Sequence, residues 1–202
     1  MAKAYRKWYA SAMTAKVSNR AKIYALAGEK SGIITLEMAR SVGVPAVEMR
    51  KLLQRGALER VGRGIYRVPF ATLDNFEQAL EATLLVGEGA YVSGQSVLSM
   101  FDVGIYNPAR ARVASPNRIR KQIPRHIYVT QTTQDPKNLV RYRGVLSESV
   151  FDALAGQAPR EIFERFVDSC QHSQELGLIT AAENRKLINM AKRSRKVDAV
   201  SE

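Results

Sequence analysis

The chain has 202 residues, 46% of them hydrophobic, and 31 Lys/Arg against 19 Asp/Glu give it a net charge of +12. That apolar content suffices for one large or two small cores, and no run of 18 apolar residues is present to cross a membrane as a helix. The lone cysteine, Cys170, excludes an intramolecular disulfide, and the basic start lacks the apolar run of a signal peptide, so the expected setting is the cytoplasm.

Residues 1–16 form a basic, aromatic lead-in. Tyr5, Tyr9 and Met13 recur every four residues beside Trp8 and Ala12, which predicts a short helix. Its aromatics either pack on the first domain, or form an arm that grips nucleic acid through Lys3, Arg6 and Lys7 or a dimer contact. A helix over residues 17–29 follows, with Ile23, Tyr24, Leu26 and Ala27 on its apolar side.

Thr35 is placed to cap a helix over residues 36–42, Gly43 supplies a tight turn, and Pro45 is expected at the first position of a second helix. On that second helix Met49, Leu52 and Leu53 make an inward stripe, leaving Arg50, Lys51, Gln54 and Arg55 on the outer side. Gly56 ends it. Residues 57–61 and 65–68 then read as two strands around Gly62-Arg63-Gly64, a hairpin with a cationic tip. Helix, turn, helix and basic hairpin in this order over residues 33–69 read as a winged helix-turn-helix. The expected DNA contacts are Ala46, Val47, Arg50, Lys51, Gln54 and Arg55 on the second helix, with Arg60, Arg63 and Arg67 on the wing. Charge agrees with that placement. Residues 1–70 hold 14 Lys/Arg against 4 Asp/Glu, a net +10, whereas residues 71–202 hold 17 against 15. Such a lobe is a footprint for a polyanion, and no long helix with one basic and one bulky apolar face favours a membrane surface instead.

Near residue 70 the composition changes. Residues 70–73 form a connector, and Asp74-x-x-Glu77 predicts a capping box opening a helix whose stripe is Phe76, Leu80 and Leu84. Residues 71–109 contain five acids and no Lys/Arg. A strand over 90–93, a helix over 95–101, strands over 110–114 and 125–131 joined by a Pro116/Pro124 loop, and a hairpin or kinked strand over 139–146 at Arg143-Gly144 are expected next. Helices over 149–155, 159–174 and 181–192 complete the chain, the last capped by Thr180-x-x-Glu183, with residues 192–196 as a solvated tail. The fold class expected is α/β, with a winged helix-turn-helix domain over residues 1–70 and a mixed α/β domain over residues 71–202.

Catalytic chemistry needs convergent groups, and the chain offers few. Two histidines, His126 and His172, with Cys170 cannot make a four-ligand zinc site without several carboxylates. Cys170 lies on the apolar stripe Ile162, Phe166, Cys170 of its helix, which suits a core thiol better than a nucleophile. Gly94-Gln-Ser96 is half of a nucleophile elbow lacking its second glycine, and Gly87-Glu-Gly89 is not followed by the GK[ST] of a phosphate loop. No catalytic residue, metal or cofactor is expected. A further basic cluster comprises Arg110, Arg112, Arg118, Arg120, Lys121 and Arg125, in a stretch, residues 103–134, without a single acid. The alternation Arg110-x-Arg112 and Arg118-x-Arg120 would set each pair on one strand face. That face is either merely solvated or a second contact for DNA, RNA or a toxin.

The whole chain resembles the AbiEi-like antitoxins of AbiE-type abortive-infection (type IV) toxin–antitoxin systems. The resemblance is clearest in Leu52-Leu-Gln-Arg-Gly-Ala-Leu-Glu-Arg-Val-Gly-Arg-Gly-Ile-Tyr-Arg-Val. It continues in Ala90-Tyr-Val-Ser-Gly-Gln-Ser-Val-Leu, in Val140-Arg-Tyr-Arg-Gly-Val with Phe151-Asp-Ala-Leu, and in Gly177-Leu-Ile-Thr. It implies an autorepressor that binds double-stranded promoter DNA, with inverted repeats expected, and that counteracts a nucleotidyltransferase toxin in phage defence. Two other readings remain open: a stand-alone winged-helix regulator, and a nucleic-acid-processing enzyme targeted by a winged helix.

Overall fold

The structure, a computed structural model, describes residues 17–29, 32–69, 73–132 and 136–198. The expectations for residues 1–16 and for most of the connector at residue 70 lie outside these. The chain divides into two compact units, the first ending at residue 72.

In the first unit, Ser18 accepts a hydrogen bond from the Ala21 amide (3.1 Å) and so starts α1 (Asn19–Glu29), which buries Ile23 and Ala27. The chain continues through β1 (Ile33–Thr35), α2 (Leu36–Ser41), α3 (Ala46–Gln54), β2 (Glu59–Gly62) and β3 (Ile65–Arg67). Thr35 caps α2, its Oγ1 accepting from the Met38 amide at 3.2 Å while the Met38 sulfur accepts from the Thr35 amide at 3.5 Å. A thioether thus occupies the place that Glu or Gln takes in most capping boxes. Pro45 is the N-cap of α3 rather than its first helical residue. Its ψ of 159° is extended, and its carbonyl already accepts from the Glu48 amide at 3.0 Å. Past α3, Gly56 (φ +68°) reverses the chain, and the Ala57 amide donates back to the Leu52 carbonyl at 2.9 Å. This reversal buries Ala57 and Leu58 under the helix, so β2 starts at Glu59 and not at Ala57.

The sheet has three strands in the order β1-β3-β2, all antiparallel, with Ile34 opposite Tyr66. Sequence reading expected only the two strands of the hairpin. Three residues are too few for an alternation to show, and Ile33 and Ile34 are both buried. Ile23, Ile34, Val44, Met49, Leu52 and Leu58 form the core of this unit.

The second unit is a mixed five-stranded sheet with helices. Its elements are α4 (Asn75–Val86), β4 (Tyr91–Val92), α5 (Gln95–Met100), β5 (Ala111–Ser115), β6 (Ile127–Gln131), β7 (Val140–Tyr142), β8 (Val145–Ser147), α6 (Val150–Ala155), α7 (Phe163–Glu175) and α8 (Ala181–Asp198). The strand order is β6-β5-β4-β8-β7; β4 pairs parallel with β8 and β5 with β6, and the other two pairings are antiparallel. Asp74 and Glu77 form the expected capping box on α4. α4 buries Ala79, Glu81, Ala82, Thr83, Leu85 and Val86; of the expected stripe, Phe76 and Leu80 pack half-buried against the same core rather than being enclosed in it. Phe76 instead stacks edge-on against Phe101 at 5.1 Å, and Phe101 against Tyr142 at 4.7 Å.

The β7–β8 turn places Arg143 at φ 47° and Gly144 at φ 87°, the two-residue geometry matching strand twist. The guanidinium of Arg143 pairs with Asp74 at 3.0 Å and lies 4.7 Å from the Phe76 ring centre. Two helix boundaries differ from the periodicity. α7 begins at Phe163 rather than 159, and α8 continues to Asp198, so residues 192–196 are helical and not a tail. Buried Ala191 and the guanidinium of Arg195 over the Phe163 ring (5.3 Å) hold those turns in place.

Candidate nucleic-acid interface

Burial of Met49 and Leu52 orients α3, and the opposite side carries Val47, Arg50, Lys51, Gln54 and Arg55, all exposed, with Ala46 half-buried at the first turn. Lys51 is not free on that side, since its Nζ lies 2.7 Å from Glu48 Oε1. This partner holds the Glu48 carboxyl below its usual range, with smaller contributions from Asn19 and Arg55. Arg50 has no ion-pair partner among the described residues and extends from the helix as a free cation.

At the hairpin, Arg63 is exposed in the turn between β2 and β3, next to Gly64 at φ 75°. Arg60 Nε donates to the Gly62 carbonyl at 3.3 Å and stiffens the same turn. Arg67 faces Glu59 across the strands, Nη2 to Oε2 3.2 Å, so its charge is partly compensated. The nine residues expected from the sequence therefore differ in what they offer: Arg50, Arg55 and Arg63 present open charge, and Lys51 and Arg67 present charge already engaged. One residue was not anticipated. Arg20 of α1 lines an open recess of about 420 Å³ together with Arg55, Tyr24 and Gly56, its guanidinium 5.2 Å from the Tyr24 ring centre. Thirty-five residues separate Arg20 from Arg55, and no local pattern connects them.

In the second unit the basic cluster is differently built from the expectation. Arg110 and Arg112 flank the start of β5, and Arg112 is half-buried with its guanidinium 5.5 Å from the Tyr128 ring centre on neighbouring β6. Arg118, Arg120 and Lys121 lie in the expected Pro116/Pro124 loop, so Arg118 and Arg120 do not share a strand face. β5 ends at Ser115, Pro116 follows, and these three side chains are exposed on a loop held by Asn117 Nδ2 donating to the Glu88 carbonyl at 3.1 Å. Arg125 is exposed just before β6. Among the described residues, none of the six cations is in an ion pair.

The remaining candidates for chemistry are structural in their surroundings. Ser96 Oγ is buried and accepts from the Arg112 amide at 2.8 Å, which ties α5 to β5. Burial pushes the Cys170 thiol up to about 12, far from a thiolate at neutral pH. No cluster of three or more His, Cys, Asp or Glu that could hold a metal is found among the described residues. A cavity of about 250 Å³ that the sequence did not signal lies between residues 104–106 and α7, lined by Glu161, Arg165, Asp168 and His172. On its wall Gly104, at φ +64°, approaches Ser169 and the Tyr106 ring so closely that a side chain there would collide with both.

Residues 22–69 match the family model described as transcriptional regulator, AbiEi antitoxin. Over these residues the chain is AbiEi-like. The AbiEi-like segment contains α2, α3, β2 and β3 whole, and so every residue of the interface on the first unit apart from Arg20. This likeness supports a role as an antitoxin or transcriptional regulator. No curated protein matches the chain. Among solved structures, the RV2827C protein from Mycobacterium tuberculosis aligns at 14% identity with a TM-score of 0.49, over 89% of this chain and 75% of that one. No helix among the described residues is long and apolar enough to cross a membrane.

Proposed function

We propose that the protein is a cytoplasmic antitoxin that represses its own promoter through a winged helix-turn-helix over the first unit and counteracts a nucleotidyltransferase toxin. The observation that carries this reading is the outer side of α3, where Val47, Arg50 and Gln54 stand clear of the core beside the cationic β2–β3 turn. α2 and the Gly43 turn set α3 as the groove-entering helix, and Arg63 at the wing tip grips phosphate or a narrow minor groove. The Arg50 fork suits guanine O6 and N7. Arg50→Ala should weaken binding to the preferred site by about 1–3 kcal/mol and relax preference at one position. Arg63→Ala should instead weaken all sequences, those with narrow A/T-rich flanks the most. Titration of both variants against operator and scrambled duplexes checks this, and an unchanged Arg63→Ala beside a uniformly weakened Arg50→Ala would overturn both roles.

The second unit is the proposed toxin-countering part, with the exposed loop carrying Arg118, Arg120 and Lys121 as its contact for toxin or RNA. Reversing all three charges should lower neutralisation in a growth assay more than repression in a promoter reporter. Equal growth with and without the reversal would leave the loop as a solvated surface.

A further inference from the structure

Resting on the DNA-binding reading above, we infer that α3 selects a G·C pair flanked on both sides by A·T pairs. Val47 packs on a thymine methyl, Arg50 pairs with the guanine, and Gln54 pairs with an adenine.

The inference follows from how the helix is seated. At 3.6 residues per turn, successive side chains are about 100° apart. Met49 and Leu52 point inward, and the direction opposite them falls on Val47 and Gln54, which lie nearly in line two turns apart. Arg50 and Lys51 flank that line on either side. Lys51 is drawn away by Glu48 at 2.7 Å, which leaves Arg50 as the long cationic side chain able to swing onto the line. The exposed strip is therefore Val47, Arg50, Gln54: one apolar, one guanidinium, one carboxamide.

Val47 is 57% exposed, and the only other large hydrophobic that the described part of the first unit exposes is Val17, before α1. Nothing in the core accounts for a valine there, whereas the major groove carries a single apolar group, the C5 methyl of thymine. The other two side chains have their own partners in the groove: guanidinium with guanine O6 and N7, and carboxamide with adenine N6 and N7. Spacing sets how close these bases are. A rise of about 1.5 Å per residue puts Arg50 about 4.5 Å beyond Val47 and Gln54 about 6 Å beyond Arg50. Base steps are about 3.4 Å, so the three contacts span three to four consecutive pairs with the G·C between the A·T pairs.

The test starts with enrichment of random duplexes by the full chain at low salt. The expected motif has a G·C pair bounded by A·T pairs within about four steps. Replacing the motif's thymine with uracil removes only the methyl, and should cost the wild type about fourfold in affinity, the equivalent of one buried carbon. Val47→Ala, a surface change whose fold is checked by circular dichroism, should bind the thymine and uracil duplexes equally. Gln54→Glu should move preference at its position from adenine to cytosine, because a carboxylate accepts from cytosine N4. An enriched motif without this pattern, or a uracil effect that persists undiminished in Val47→Ala, overturns the inference and leaves DNA binding intact. A chain that enriches nothing and binds no duplex overturns the DNA-binding reading itself.

Discussion

Phe166→Ala is expected to destabilise the second unit severely while repression survives. Phe166 is fully buried in a core built from Val97, Leu98, Leu154, Cys170 and Leu187, all of them in the second unit. Truncating a buried phenylalanine costs about 3–5 kcal/mol through lost transfer energy and the cavity left behind. Total stabilities of single domains are only about 5–15 kcal/mol, so the change removes a large part of what holds the unit together. Met49→Ala is the mirror experiment. Met49 is fully buried in the first core, beneath the outer face of α3, and its truncation should cost about 2–5 kcal/mol there. Calorimetry should then show one transition shifting in each variant, a different one each time. A promoter reporter and a growth assay with co-expressed toxin should follow the transitions: Met49→Ala loses repression, Phe166→Ala loses neutralisation. A single transition that moves in both variants, with both activities lost together, would mean that the units do not act separately.

Affinity for promoter DNA should fall steeply with salt. The net +10 of residues 1–70 means that phosphate neutralisation, with release of counterions, supplies much of the binding energy. The slope of log K against log salt is about −0.9 for each phosphate engaged. The exposed cations Arg20, Arg55, Arg60 and Arg63 make about four contacts a reasonable number, giving a loss on the order of a hundredfold between about 50 and 200 mM salt. Arg63→Glu should flatten the slope by about one unit or more. Lys51→Ala should change it less, because its ammonium is already held by Glu48. A slope near zero for the full chain would remove the electrostatic basis of the reading.

How the residues forecast the structure depended on the range of the interaction. Thr35, Asp74 and Thr180 cap helices where the sequence places them, because each bond joins groups three residues apart. Gly56 and the Arg143-Gly144 turn were equally legible, since a positive φ is a local demand. The inward stripe of α3 was readable for the same reason: a helical period fixes which side chains oppose one another before any partner is known.

Long-range contacts decided everything else. β1 exists because β3 lies beside it, and three residues alone carry no strand signal. The apolar stripe of α4 lies half-buried against the core while Ala79 and Ala82 beside it are enclosed, which only the packed neighbours decide, and α8 extends past its pattern where Arg195 lies over Phe163. The same division runs through the interface. Sequence alone determined that the first 70 residues are strongly basic and that α3 has an outer face. Tertiary structure decided which of those charges are open: Glu59 engages Arg67 from the neighbouring strand and Arg20 is brought beside Arg55, whereas Glu48 engages Lys51 locally, one turn away on the same helix. Charge is a property of residues taken singly, but its availability depends on what the fold sets within about 4 Å of each one.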